Sequence, residues 1–165
     1  MHFEKATGVR RGGVMEHFME LYQAVYRDLY RMAYYYLGNA EDAEDAVSEA
    51  VLAAYENFHK LKKEASFRPW IFKILVNCCR KYLRRNRKFG QAEEVQEIPY
   101  EPTLSEEAEI RELLSVLTQE ERLIVTLSVF GGYKGEEIAR ILNRNHSTIR
   151  SKYRRALKKL EQKEI

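Results

Sequence analysis

Seven side chains near the C-terminal end carry the most specific chemistry of the chain: Ser147, Thr148, Arg150, Ser151, Arg154, Arg155 and Lys158. At helical spacing they fall opposite an apolar stripe of Ile149, Tyr153, Ala156, Leu157 and Leu160, positions i, i+4, i+7, i+8 and i+11. Every polar group on that side can donate a hydrogen bond, and most are cationic. Such a face suits phosphate oxygens and the acceptor edges of bases in a major groove. A basic amphipathic helix alone also fits a solvated surface, a membrane surface or a calmodulin-type target. The preceding residues narrow the choice. Lys134–Leu142 predicts a short helix with Ile138, Ala139, Ile141 and Leu142 inward, and Asn143-Arg144-Asn145-His146 predicts a tight turn, since Asn tolerates left-handed backbone. A short helix, a tight turn and a cationic helix make a helix-turn-helix whose second helix reads DNA.

A second cationic cluster ends an earlier amphipathic run: Arg80, Lys81, Arg84, Arg85, Arg87 and Lys88. Cations favour a helix C-terminus, but six in nine residues exceed what capping needs, and aromatics beside them can stack on unpaired bases. The carboxylates Glu41, Asp42, Glu44 and Asp45 crowd a predicted helix start. There they favour the helix dipole, and they also offer a docking face to a basic partner helix. They are no catalytic signature without a metal or nucleophile beside them. The four histidines, His2, His17, His59 and His146, are scattered, and neither a Ser-His-Asp order, a phosphate-cradling glycine loop nor metal-ligand spacing occurs. The expectation is a non-enzyme with no cofactor and no metal. Cys78 and Cys79 are adjacent, so they seldom pair with each other and do not form a zinc site. Reduced thiols, with Cys78 in a core, imply a cytoplasmic compartment.

The elements that must hold these groups are helical. The 165 residues include three prolines and no long β-branched alternation, which predicts an all-α chain. No run of about 18 apolar residues occurs, so no membrane insertion is expected, and the N-terminus has no apolar secretory h-region. The net charge of +3 hides segregation. Residues 1–90 hold 16 basic and 11 acidic side chains, 91–121 hold 1 and 10, and 122–165 hold 11 and 4. Two basic ends around an acidic middle suggest two separate contacts with a polyanion.

Residues 1–14 read as a disordered extension. Arg10-Arg11-Gly12-Gly13-Val14-Met15 is what a purine-rich ribosome-binding site yields when translated in frame, which makes Met15 a candidate start. The first helix is expected from about Glu16 to Leu37, closed by Gly38-Asn39. The second carries Ala43, Ala46, Val47, Ala50, Val51, Ala54, Tyr55 and Phe58 inward. Ser66 is an N-cap for a third, with Trp70, Ile71, Ile74, Leu75, Cys78, Tyr82 and Leu83 apolar. Residues 15–88 thus form one small helical domain. Residues 89–104 form a flexible acidic linker, and 105–165 form a second helical domain. In the latter, Thr103-Leu104-Ser105-Glu106 and Thr118-Gln119-Glu120-Glu121 match the capping box. Leu123, Ile124, Leu127, Ser128 and Val129 line much of the helix after Thr118, and Gly131-Gly132 closes it.

Several segments, in order across about residues 15–161, resemble a bacterial RNA polymerase sigma factor of the extracytoplasmic-function class. Tyr35-Tyr36-Leu37-Gly38-Asn39-Ala40-Glu41-Asp42-Ala43-Glu44-Asp45 looks like the start of the core-polymerase-binding region. Phe67-Arg68-Pro69-Trp70-Ile71-Phe72-Lys73-Ile74-Leu75-Val76-Asn77 is similar to the family's Phe-Arg-x-Trp-Leu-x-x-Ile-x-x-Asn run. Leu117-Thr118-Gln119-Glu120-Glu121-Arg122, and Glu136-Glu137-Ile138-Ala139 followed by Ser147-Thr148-Ile149-Arg150-Ser151, match the family's second domain.

The resemblance implies a protein that binds core RNA polymerase and directs initiation at promoter DNA. Asp42, Asp45 and Glu49 would meet the polymerase clamp helices. Phe67, Trp70, Asn77, Arg80, Lys81, Arg84 and Arg85 would lie near the opened minus-ten strand. Ser147, Thr148, Arg150, Ser151, Arg154 and Arg155 would read the minus-thirty-five element. The linker would pass along the RNA-exit path, and an anti-sigma factor is an expected partner. Ser48 stands where the family often has Gln, Lys81 where Asp or Asn is common, Asn143 where Gly is common, and Arg154 where smaller or aromatic residues are common. Ser48 bears on the clamp contact and Asn143 is a mild change, whereas Lys81 and Arg154 imply minus-ten and minus-thirty-five sequences of its own. The competing reading is a stand-alone helix-turn-helix regulator of a duplex operator, which accounts for the C-terminal helices but not for the Trp70 segment or the basic run after it.

Overall fold

The computed structural model describes residues 11–88 and 106–164. These residues form seven α-helices and two short 3-10 turns, with no strand among them. The expected linker, 89–104, lies wholly outside the described residues, as do positions 1–10.

Three helices build the first half: α1 (Arg11–Leu37), α2 (Ala40–Glu56) and α3 (Phe67–Lys88), each packed on the other two. The inner face of α2 is nearly all alanine, with Ala43, Ala46, Ala50 and Ala54 fully buried, which lets α1 and α3 approach closely. Phe18, Leu29, Met32, Ile71 and Leu75 fill the space between, each burial worth about 1.5–3 kcal/mol before entropy. At one end Phe18 meets Tyr55, Phe58 and Phe67 edge-on, with centroids 5.3, 5.2 and 5.7 Å apart. Gly38 ends α1 at φ 89°, a left-handed conformation that suits glycine. Asn39 then caps α2, its Oδ1 accepting from the Asp42 N–H at 2.8 Å.

The second half is α4 (Glu106–Leu114), α5 (Gln119–Val129), α6 (Gly135–Leu142) and α7 (His146–Glu164). Thr118 and Glu121 form the expected capping box: the Glu121 N–H donates to Thr118 Oγ1 at 3.2 Å, and the Thr118 N–H to Glu121 Oε1 at 3.0 Å. Helix α5 is the central element, buried at every position from Glu121 to Leu127. After it the chain turns tightly. A Cβ on Gly131 would sit 2.5 Å from the Leu127 carbonyl oxygen. Asn143 takes φ 53°, ψ 51°, the left-handed turn residue between α6 and α7.

The two halves share one continuous apolar core, in which Phe18 and Leu75 belong to the same cluster as Leu123 and Ile149. Tyr35 crosses from α1 into a satellite cluster with Leu114, Leu117, Val125 and Ala156, and its ring stacks on Phe130 at 4.6 Å. Phe72 meets Tyr133 edge-on at 5.4 Å. Arg68 Nη2 bonds Asp28 Oδ2 at 3.1 Å and the Gly131 carbonyl at 2.8 Å.

Four expectations shift. Helix α1 begins at Arg11, so residues 11–14 are helical where disorder was expected. Val14 packs against the core, which offsets the roughly 1 kcal/mol that each of Gly12 and Gly13 costs a helix. Cys79, not Cys78, is the fully buried thiol. Helix α3 is buried along Phe72, Val76 and Cys79 as well as along Ile71 and Leu75, because α6 packs against it. Val129 and Leu157, placed on inward stripes, are 62 % and 42 % exposed.

Candidate nucleic-acid interface

Helix α7 is set in place by the side it buries. Ile149 and Ala156 are fully buried against the second half, Tyr153 is half-buried, and Ser128 Oγ lies 3.4 Å from the Tyr153 hydroxyl. The opposite side presents Ser147, Arg150, Ser151, Arg154 and Arg155 to solvent, with Thr148 half-buried at its edge. The six residues expected to read DNA therefore lie along one accessible surface.

The helix carries a third, flanking set of charges that are consumed internally. Glu120 ion-pairs with Lys152 through Oε2 and with Arg144 through Oε1, the latter at 3.3 Å. Glu121 accepts from Lys159 Nζ at 2.6 Å. The Glu120 carboxyl is held below the usual carboxylate range, chiefly by the Lys152 hydrogen bond, against burial, and with help from Arg144 and Arg80. Burial pushes the Glu121 carboxyl up, but its bonds to Lys159 and Thr118 outweigh that and hold it down. No ion pair among the described residues engages Arg150, Arg154, Arg155 or Lys158.

On α3, Trp70, Asn77, Lys81 and Arg84 recur at i, i+7, i+11 and i+14 and share a side. Trp70 is half-buried, Asn77, Lys81, Arg84 and Arg85 are exposed, and Arg80 is half-buried. Phe67 departs from its expected place near a DNA strand. It is only 2 % exposed, locked edge-on against Phe18 and Phe58, and in this packing it is a core residue that supports Trp70 from 6.0 Å. Lys73 is exposed one turn before Asn77. Its signal in the sequence is its place at i−4 from Asn77, on the same side of the helix.

On α2, Asp45, Ser48 and Glu49 are exposed and Asp42 is half-buried. Asp42 Oδ2 accepts from Asn39 Nδ2 at 2.6 Å. Its hydrogen bond to Tyr82, ahead of burial, pushes that phenol up to about 12. Leu52 lies on the Asp45–Ser48 side and is 61 % exposed, an apolar residue with no place in the core.

The family model described as Sigma-70 region 2 matches residues 21–89, and the one described as Sigma-70, region 4 matches residues 107–160. The ECF RNA polymerase sigma factor SigM of Mycobacterium tuberculosis is 30 % identical over 146 residues, 87 % of this chain and 74 % of that protein. The chain belongs to the extracytoplasmic-function RNA polymerase sigma factors. The RNA polymerase sigma factor SigV of Bacillus subtilis is 29 % identical over 140 residues, 80 % of this chain and 81 % of that one. Among solved structures, the sigma factor RpoE of Bartonella quintana, in complex with the anti-sigma factor NepR, superposes with a TM-score of 0.75. It is 22 % identical, with 89 % of this chain and 96 % of that one covered. CnrH, in complex with the cytosolic domain of CnrY, gives 0.69 at 21 % identity, covering 90 % and 87 %. Both share the fold.

As a sigma factor of this class the protein directs RNA polymerase to promoters. The region 2 match takes in α1 from residue 21 on and all of α2 and α3, and the region 4 match takes in the capping box, α6 and α7 as far as residue 160. A stand-alone operator regulator leaves the first of these matches without a role. Sigma factors are not enzymes. No described helix is long and apolar enough to cross a membrane.

Proposed function

We propose that the minus-thirty-five element is read by Ser147, Thr148, Arg150, Ser151, Arg154 and Arg155. The observation that carries this is the division of charge on α7. Lys152 and Lys159 are neutralised by Glu120 and Glu121, while the adjoining arginines remain solvent-facing and unpaired among the described residues. Exposed arginines on a fixed helix match base-edge recognition, in which a bidentate guanidinium takes guanine O6 and N7.

The minus-ten strand is assigned to the side of α3 bearing Trp70, Asn77, Lys81 and Arg84, with Lys73, Arg80 and Arg85 supplying further positive charge. Trp70 offers a stacking surface and the cations follow the phosphates, the combination by which single strands are held. Opening a duplex costs unstacking energy, which capture of the exposed bases offsets. The clamp-helix contact is assigned to Asp45, Glu49 and Leu52, an acidic rim beside one exposed apolar side chain. Asp42 contributes from behind, through its bonds to Asn39 and Tyr82. The domain division is 15–88 and 105–165, with 89–104 as a linker along the RNA-exit path. The protein acts in the cytoplasm without a cofactor, and an anti-sigma factor holds it inactive. Support for that last assignment is the likeness in fold to RpoE of Bartonella quintana, solved in complex with the anti-sigma factor NepR.

The test is a promoter library transcribed by holoenzymes carrying alanine at each assigned position. Substitutions on α7 are expected to change the selected bases only in the minus-thirty-five element, and those on α3 only in the minus-ten element. Exchange of the two patterns, or changes in neither, would overturn the assignment.

A further inference from the structure

Glu120 sits in the first turn of α5, yet its two oxygens hold two cations from elsewhere in the helix-turn-helix: Arg144, in the turn, and Lys152, on the reading helix. Arg144 directly follows Asn143, the left-handed residue that sets the angle between α6 and α7. Lys152 lies between Arg150 and Arg154 in sequence but is turned to the inner flank of the helix, half-buried where they are exposed. One carboxylate therefore ties the turn and the reading helix to the helix that supports both. It also removes two positive charges from the side of the molecule that approaches DNA.

We propose that Glu120 is a positioning and specificity-determining residue for minus-thirty-five recognition, fixing the rotation of α7 and neutralising Arg144 and Lys152 so that only the outward arginines engage the promoter. The proposal rests on α7 being the reading helix. Cations that reach phosphates raise affinity for every sequence alike, and each such contact steepens the salt dependence. Base-edge contacts favour one sequence. A carboxylate that holds the reading helix in one rotation aligns its arginines with the base edges and so raises the ratio of specific to non-specific binding without touching DNA, while the two cations it withholds from the phosphates would add affinity for every sequence. Glu121 plays a parallel part further along with Lys159, but it also caps its own helix through Thr118. Glu120 has no such capping bond among the described residues, which makes its substitution the cleaner probe.

The experiment uses holoenzyme formed from the full chain and core polymerase. One duplex carries the promoter that the wild-type holoenzyme selects from a random library; its control has the minus-thirty-five element scrambled. Glu120→Gln keeps the shape and loses the charge. Expected are stronger binding to the scrambled duplex, by about eightfold at 0.1 M salt for each new phosphate contact, and a salt slope steeper by about 1–2. The ratio between the two duplexes falls because α7, no longer tied through Lys152, does not hold its arginines against the bases. Adding Lys152→Gln to Glu120→Gln brings the scrambled-duplex affinity back down and leaves the ratio low. Equal weakening on both duplexes, the mark of a merely loosened fold, would overturn the proposal, as would an unchanged ratio and slope. Arg150→Ala separates this from the underlying reading. If it lowers selected-duplex binding while Glu120→Gln changes nothing, α7 stands as the reader and the role of Glu120 falls. If Arg150→Ala also changes nothing, both fall.

Discussion

Arg122 Nε donates to the carbonyl oxygen of Tyr36 at 2.9 Å, across 86 residues of sequence. Arg122 belongs to α5 and Tyr36 to the last turn of α1, so the guanidinium caps a helix in the other half of the molecule. The side chain is only 7 % exposed, stands 5.7 Å from the Tyr36 ring, and burial lowers its affinity for its proton. Arg122→Met should leave a buried carbonyl without its cap and cost about 1–3 kcal/mol, read as a lower urea midpoint. Because the bond joins the halves, the variant should also show a larger radius of gyration by solution scattering. An unchanged radius would mean that the shared apolar core alone keeps the halves together.

Tyr34, Tyr35 and Tyr36 show where sequence and structure part. The stripe through Phe18, Leu29, Met32 and Tyr36 was legible as the inner face of α1, because one core imposes one period. Tyr35, next in line, points elsewhere: it is buried among Leu114, Val125 and Ala156 of the other half. A helix packed on two sides has two stripes, and a pattern search built for one core misses the second. The same cause hid Phe72, Val76 and Cys79 on α3 and the all-round burial of α5. The helix-turn-helix was legible nearly to the residue, since its turn, caps and charges are local. Leu52 and the internal pairing of Lys152 were not, because both depend on neighbours distant in sequence.

Thr118 anchors the start of the helix that supports the reader. Thr118→Ala removes the side-chain half of the capping box and should cost about 1 kcal/mol. Thr118→Ser should restore most of it. Equal stability of all three in chemical denaturation would show that the cap contributes nothing.

At Asn143 the left-handed backbone makes the order of substitutions the test. Asn143→Gly should be neutral or slightly stabilising, whereas Asn143→Val should cost about 1–3 kcal/mol through strain at positive φ. A valine variant as stable as the glycine variant would contradict the turn geometry.

Acid should weaken the second half through Glu120 and Glu121. Both carboxyls are held below their ordinary range by their lysine partners. Their contribution is therefore full above the unfolded-state pKa and is lost as pH falls through the folded one. Urea midpoints should drop on going from pH 7 to below about pH 4, and Glu120→Gln with Glu121→Gln should flatten that decline. A wild-type decline unchanged in the double variant would place the acid sensitivity elsewhere.

Arg150→Ala should cost about 1–3 kcal/mol on the selected promoter and broaden preference at one base position, as expected for a lost bidentate contact. A uniform loss on all sequences, with a salt slope smaller by about 1, would make Arg150 a phosphate contact instead.

The most direct test is reconstitution of the full chain with purified bacterial core RNA polymerase. The complex should comigrate in size-exclusion chromatography and initiate transcription at a selected subset of a promoter library, with preferences in two separated elements. Failure to associate, together with tight and selective binding of the protein alone to duplex DNA, would contradict the assignment and restore the operator-binding reading.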